Sequence, residues 1–256
     1  MKSPTPRTIF ITGASSGFGK ACAEKFAQAG DRLILLARRK ERLEQLASSL
    51  QASYGTESHI IEADVRDQAV ITRSIENLPA AWDQIDVLVN NAGLALGRDY
   101  FEEANLSDWN NMIDTNVKGL LYVAQAVAKK MSKNKRGHIL NIGSIAGKEV
   151  YEKGNVYCAT KFAVDAISKA MRIDLLRHGI KVTAIHPGAA ETEFSLVRFK
   201  GDAETAKQVY QGFSALQADD IADVAVYCAG LPEHVCINDL TLTCTQQGSS
   251  IHFQRG

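Results

Sequence analysis

Tyr157 and Lys161 stand four residues apart in the stretch Asn155–Lys161, N-V-Y-C-A-T-K. In a helix they lie one above the other on one face. A phenol beside an ammonium suits acid/base work: a free tyrosine titrates at roughly 10, and a nearby cation favours the phenolate and brings it toward the working range. The same spacing also makes an ordinary helix face, so the pair needs companions. Ser144 follows the run Gly137–Ile142 (G-H-I-L-N-I) and Gly143; its hydroxyl could donate to a substrate carbonyl oxygen or simply serve a turn. Asn116 falls inside a long helical segment, Leu106–Ser132. It is either a buried amide with ordinary partners or a kink that holds a water for proton transfer.

Such groups need a cofactor and a frame. Thr8–Thr12 (T-I-F-I-T) is a β-branched run that stops at glycine, which predicts a buried strand. Gly13-Ala14-Ser15-Ser16-Gly17-Phe18-Gly19 follows, then a helical pattern to Ala29. Strand, glycine-rich turn and helix are the context of a phosphate-binding loop: glycines admit backbone N–H groups close to a pyrophosphate, and the helix N-terminus adds its dipole. The spacing is G-x-x-x-G-x-G rather than G-x-G-x-x-G, and a bare tight turn is the alternative. Arg32–Ala37 is the second strand. Where an NAD site places an acid for the ribose 2′-hydroxyl, this chain has Ala37 followed by Arg38 and Arg39. Two guanidinium groups and no acid favour a 2′-phosphate, hence NADP; the bland reading is the solvated start of a helix, Lys40–Ser53.

The third strand is read as His59–Ala63, and Asp64-Val65 at its end offers a carboxylate for an adenine amino group or for a helix cap. A helix over Asp67–Asn77 leads to a fourth strand, Asp86–Val89. It runs into Asn90-Asn91-Ala92-Gly93, small and amide residues at the strand end where ligands lie in open α/β sheets. Gly137–Ile142 is the fifth strand, Asn155–Arg177 the helix bearing Tyr157 and Lys161, and Lys181–Ile185 the sixth strand, broken by Pro187-Gly188. A charged, partly helical insertion over Phe194–Gln211, a helix over Asp219–Ala229 and a strand over Ile237–Leu242 complete the pattern. Strands alternating with helices seven times, with no Pro/Gly/Ser-rich linker, predict one α/β domain over residues 1–256. It is a doubly wound Rossmann-type fold with a mainly parallel seven-stranded sheet and helices on both faces. The excursion at about 193–213 is the candidate substrate lid. The tail Thr245–Gly256 is polar and carries no pattern.

Lys+Arg and Asp+Glu are equal at 29 each, which gives no argument for nucleic acid or an anionic membrane as partner. No stretch approaches the 18 apolar residues of a membrane span, and no signal-peptide pattern is present. Five scattered cysteines, Cys22, Cys158, Cys228, Cys236 and Cys244, lack C-x-x-C spacing and read as reduced thiols of a cytoplasmic protein.

Taken together, these motifs resemble the short-chain dehydrogenase/reductase family over essentially the whole chain. Thr12–Gly19 looks like its T-G-x-x-x-G-x-G loop and Asn90–Gly93 like its N-N-A-G. Asn116, Ser144, Tyr157 and Lys161 fall in the order and spacing of its Asn-Ser-Tyr-Lys tetrad. Pro187-Gly188 followed by Thr192 looks like its P-G turn and the threonine that holds the nicotinamide carboxamide. The resemblance implies that Tyr157 is the acid/base and that Lys161 lowers its pKa and bonds the nicotinamide ribose. Ser144 then orients the substrate oxygen, and Asn116 positions a water that links Lys161 to solvent. It also implies a homotetramer or dimer built on the two long helices.

A narrower resemblance is to the NADP-dependent 3-hydroxy acid dehydrogenases, in Asn90–Gly97, Met112–Gly119, Gly154–Tyr157 and above all Thr192–Asp202, T-E-F-S-L-V-R-F-K-G-D. That branch acts on serine, allo-threonine and short 3-hydroxy acids, and close relatives reduce sulfoacetaldehyde or malonic semialdehyde. Arg198 and Lys200 would give a small anion a cationic partner, or they form a surface charge pair. Lys148–Lys153 departs from the pattern, and Glu149 or Glu152 facing the site would disfavour an anion. The competing expectations are a reductase of another aldehyde, sugar or acyl thioester, and a non-catalytic NADP-binding protein.

Overall fold

The computed structural model describes residues 6–256. Seven parallel strands form one sheet in the order β3-β2-β1-β4-β5-β6-β7. They are β1 Thr8–Thr12, β2 Arg32–Ala37, β3 Ser58–Glu62, β4 Val87–Asn90, β5 Gly137–Ile142, β6 Ile180–Pro187 and β7 Asp239–Leu242. All residues of β1 are buried, as a central strand covered on both faces requires. Side-chain alternation divides its load. Ile9 and Ile11 pack with α1 (Gly17–Gln28), α2 (Lys40–Tyr54) and α9 (Ala218–Ala229), and Phe10 packs with α3 (Gln68–Glu76) and α5 (Leu120–Asn134) on the other face. The order reverses at β1, which pairs with both β2 and β4. The crevice outside those two carboxyl ends is where such a sheet takes a ligand.

Several boundaries differ from those read in the sequence. The expected continuous helix Leu106–Ser132 is interrupted. It comprises α4 (Leu106–Ile113), a π-helical turn over Asp114–Gly119 and α5. Asn116 sits in that turn, where its amide bonds the peptide groups of Leu94 instead of facing an uninterrupted helix neighbour. The helix bearing Tyr157 and Lys161, α6, covers Asn155–Leu175 and passes into a 3₁₀ turn before Gly179 at φ +66°. β3 lies one residue earlier than read from sequence. β7 starts at Asp239 rather than Ile237, because the Ile237 carbonyl is taken by the Thr183 hydroxyl at 2.6 Å before the ladder begins. Pro187 ends β6 inside the sheet rather than breaking it, paired with Leu242. No helix among the described residues is long and apolar enough to cross a membrane.

Candidate active site

The carboxyl ends of the central strands open into one cleft of about 1090 Å³. It is lined by Gly13, Ser15, Ser16, Gly17, Phe18, Arg38, Arg39, Asp64, Val65, Asn91, Ala92, Gly93, Ser144, Tyr157, Lys161, Pro187, Gly188, Thr192 and Arg198, all anticipated from sequence. Gly19 is expected in this set and does not line the cleft. Its role is close packing: a Cβ there would sit 2.3 Å from the Gly13 carbonyl oxygen. Gly13 itself turns the chain at φ +67°. Thr12 ties the two loops together, its hydroxyl accepting the N–H groups of both Asn91 and Ala92 at 2.9 Å.

The loop suits a phosphate. α1 starts at Gly17 with no side-chain hydrogen bond capping it at Ser16 and no acid in its first turn, so its N-terminal N–H groups and dipole face the cleft. Arg39 is drawn onto this loop, donating to Ser16 Oγ at 2.8 Å and to Ser15 Oγ at 3.1 Å. Glu193 also meets Arg39 at 3.3 Å and Arg42 at 2.9 Å. Arg42 belongs to the helix start over Lys40–Ser53, for which the sequence suggested only a solvated role. Asp64 is held by Arg66 and lies 3.8 Å from Arg38; the Arg66 hydrogen bonds keep its carboxyl below the usual range against the opposing effect of burial. A dinucleotide with an extra phosphate on its ribose therefore fits the groups present.

At the other end, Tyr157 and Lys161 share the buried face of α6. Lys161 Nζ donates to the Ile142 carbonyl at 3.0 Å and stands 6.0 Å from the Tyr157 ring centroid. Burial lowers its pKa to about 8. Tyr157 is moved the other way. Burial first, then Tyr151, hold it above the ordinary tyrosine range, while Ser144 and Arg198 pull it down. The expected lowering by Lys161 thus does not govern the protein alone, because the ammonium is turned to a carbonyl and the phenol is deeply desolvated. Ser144 Oγ accepts from Ala146 N at 3.1 Å, which fixes the serine at the head of a short 3₁₀ turn. Asn116 does not line the cleft. Its Oδ1 accepts from Leu94 N at 2.8 Å, and its Nδ2 donates to Leu94 O at 2.8 Å and to Thr160 Oγ1 at 3.1 Å. Both donors of the side chain are used, so the amide braces the β4 loop against α6.

The lid region folds into α7 (Glu193–Arg198) and α8 (Ala203–Gln208). Arg198 enters the cleft with Cζ 5.5 Å from the Tyr157 ring centroid, and its Nη1 donates to Tyr151 Oη at 2.9 Å. Its backbone and Nε are bonded to Gly97 in both directions. Lys200 corrects the sequence expectation. It is absent from the cleft lining, and its Nζ lies 2.8 Å from Asp108 Oδ2 on α4. Glu149 is likewise outside, accepting from Ser250 N at 2.8 Å. Glu152 does line the mouth, where it accepts from Tyr100 Oη at 2.9 Å.

Sequence reasoning missed Tyr151, Phe194, Arg98 and the tail. Phe194 packs on Tyr157 at 5.6 Å between ring centroids. The tail is ordered: Gln247 pairs with Phe253, and Gln247 Oε1 accepts from Ala189 N at 2.8 Å. Ser250, Ile251, Phe253 and Arg255 join the cleft wall. Only Phe253 within a polar tail hinted at this.

The family model for short chain dehydrogenases matches residues 7–203. The chain is 44% identical over 250 residues to the NADP-dependent 3-hydroxy acid dehydrogenase YdfG of Escherichia coli K12, covering 96% of this chain and 99% of that one. It is 45% identical over 243 residues to a sulfoacetaldehyde reductase of Chromohalobacter salexigens, covering 94% and 95%. Among solved structures, the closed form of a serine dehydrogenase complexed with NADP⁺ superposes with a TM-score of 0.90 at 43% identity, over 96% of this chain and 100% of that one.

Proposed function

The chain belongs to the short-chain dehydrogenase family, and from that premise we propose that it is an NADP(H)-dependent oxidoreductase. It interconverts a short 3-hydroxy acid of the serine, allo-threonine or 3-hydroxypropionate type and its 3-oxo acid or semialdehyde. The observation that carries the substrate class is Arg198. Its guanidinium lies within 5.5 Å of the Tyr157 ring, so one small molecule can place a carboxylate on Arg198 and a carbinol at the phenol. Among the described residues Nη2 of Arg198 makes no hydrogen bond, which leaves a donor for that anion. A sulfonate presents the same charge, so sulfoacetaldehyde belongs to the same reading.

NADP would supply or accept the hydride at the carbinol carbon. The Gly13–Gly19 loop and α1 would hold its diphosphate, Arg38 and Arg39 its 2′-phosphate, and Asp64 and Val65 its adenine. Asn91, Ala92, Gly93, Pro187, Gly188 and Thr192 would line the nicotinamide side, with Tyr157 and Lys161 at the ribose. Tyr157 donates its phenolic proton to the carbonyl oxygen in reduction and takes the alcohol proton in oxidation. Ser144 orients that oxygen. Phe194 and the tail exclude water from the reacting end.

The test is absorbance at the reduced-nicotinamide band. NADP⁺ and NAD⁺ are run against L-serine, L-allo-threonine, 3-hydroxypropionate and 3-hydroxybutyrate, and NADPH against malonic semialdehyde, sulfoacetaldehyde and a neutral aldehyde. Turnover of the anionic compounds is expected, with NADP⁺ preferred. Turnover of the neutral aldehyde alone would leave the enzyme class and remove the anion-binding role of Arg198.

The reading extends to a cytoplasmic homotetramer. Five free thiols suit a reducing compartment. Leu121 on α5 and Phe162 and Ile173 on α6 expose apolar side chains on the two long helices, while Val123 and Val127 are core. Light scattering is expected to give four times the 27.9 kDa chain mass; a monomer at micromolar concentration would sink this assembly.

A further inference from the structure

His186 lies next to the end of β6, beside Pro187, and its ring is fully buried. Nε2 stands 3.1 Å from Asp239 Oδ2 on β7 and 3.6 Å from Asp165 Oδ1 on α6. Lys148 Nζ closes the group, 2.8 Å from Asp165 Oδ1 and 2.7 Å from Asp239 Oδ2, and Lys169 holds the other Asp165 oxygen at 2.7 Å. The ligand atoms of Asp165, His186 and Asp239 are close enough together to suit a metal ion. The Lys148 ammonium already bonds both carboxylates, so the positive charge at that point is the protein's own.

The other ring nitrogen faces the catalytic turn. Nδ1 lies 3.4 Å from Ser144 N and 3.2 Å from Ser144 O. The ring also fills the space beside Gly143, where a Cβ would come within 2.4 Å of Nδ1. A neutral imidazole that donates Nε2–H to Asp239 keeps its Nδ1 lone pair for the Ser144 N–H. Burial first, then Lys148, favour this neutral form, against Asp239, the Ser144 carbonyl and Asp165. The ring therefore grips the main chain of the residue whose hydroxyl must meet the substrate oxygen.

We propose that His186 is a positioning residue: anchored through Nε2 to Asp239 and the Asp165–Lys148 pair, it holds the Ser144 main chain and so aims the Ser144 hydroxyl beside Tyr157. This rests on the assigned role of Ser144. An error of about 1 Å in such a group costs roughly 10²-fold in rate, so the effect belongs in kcat rather than in cofactor binding.

Two polar variants separate the ring's two ends. His186→Asn keeps a polar atom near the Nδ1 position, toward Ser144, and His186→Gln keeps one near Nε2, toward Asp239. Each is measured with Ser144→Ala and Asp239→Asn for kcat, KM, NADP dissociation constant and melting temperature. The Gln variant is expected to lose kcat about 10–100-fold with KM and NADP binding within about threefold, and the Asn variant to retain about tenfold more kcat than Gln. Asp239→Asn, which leaves the ring in place and neutralises the carboxylate that anchors both it and Lys148, is expected to lower kcat about threefold to tenfold, and it decides the matter if neither ring variant folds. Unchanged turnover in Ser144→Ala would overturn the site reading itself. Loss in Ser144→Ala with wild-type kcat in Gln and in Asp239→Asn would overturn the His186 inference alone. Equal losses in Asn and Gln that track melting temperature would make the ring a packing element and overturn it as well.

Discussion

Tyr157→Phe should lower turnover about 10²–10⁴-fold, the range a positioned general acid/base contributes, while leaving NADP binding within about twofold. Only the hydroxyl is removed; the ring still packs on Phe194 and the helix α6 is untouched. The pH dependence gives a second readout. Burial holds the phenol protonated above the ordinary tyrosine range, against the pull of Ser144 and Arg198. The acid form needed for reduction is therefore abundant at neutral pH, and the base form needed for oxidation is scarce. Oxidation by the wild type is expected to rise with pH toward the alkaline side, and reduction to stay level until the phenol begins to ionise. The Phe variant should lose the alkaline rise. Stopped-flow absorbance at the reduced-nicotinamide band, with fluorescence titration of NADPH for binding, measures both. Wild-type turnover in the Phe variant would remove Tyr157 from the chemistry, and lost NADPH binding would move its role to the cofactor.

Much of this site is legible in sequence because its parts are local. A glycine loop between a strand and a helix, two arginines at a strand end and a Tyr-Lys pair one turn apart each declare their geometry within a few residues. The five inner strands are legible for the same reason: a strand covered on both faces is a short apolar run between turns. What escaped depends on distant partners. The π turn at Asn116 exists because the amide finds the peptide groups of Leu94, 22 residues away. Lys200 resembles Arg198 in charge and stands two residues from it, yet it sits in a turn at φ +54° and meets Asp108 instead of the cleft. The tail is polar and patternless, and it is fixed by contacts such as that of Gln247 with Ala189, 58 residues away. His186, just past the strand read as Lys181–Ile185, carries no signal in sequence until β7 and α6 bring their carboxylates to it.

Arg39→Ala should raise the dissociation constant for NADP about 10–100-fold and leave that for NAD within about threefold. Hydrogen bonds to a charged group contribute about 1.5–3 kcal/mol, and 1.4 kcal/mol is about tenfold. Arg39 is chosen over Arg38 on geometry. It is already held by Ser15 and Ser16 beside the phosphate loop, so little order is lost on binding. Arg38 is 64% exposed and reaches only Asp64, at 3.8 Å; its replacement should cost about threefold, as exposed pairs contribute little. Glu193 makes the test two-sided. Its carboxylate occupies Arg39 and Arg42 from the first turn of α7, and an arriving 2′-phosphate must compete with it for Arg39. Glu193→Gln should therefore tighten NADP about threefold to tenfold and leave NAD unchanged, an effect that shrinks in high salt. The same short helix, α7, carries both Glu193 and Arg198. Equal weakening of NAD and NADP by Arg39→Ala would mean that Arg39 only braces the Ser15-Ser16 loop. The preference for NADP would then have to come from Arg38, which Glu193 does not touch, and Glu193→Gln would leave NADP binding where it was.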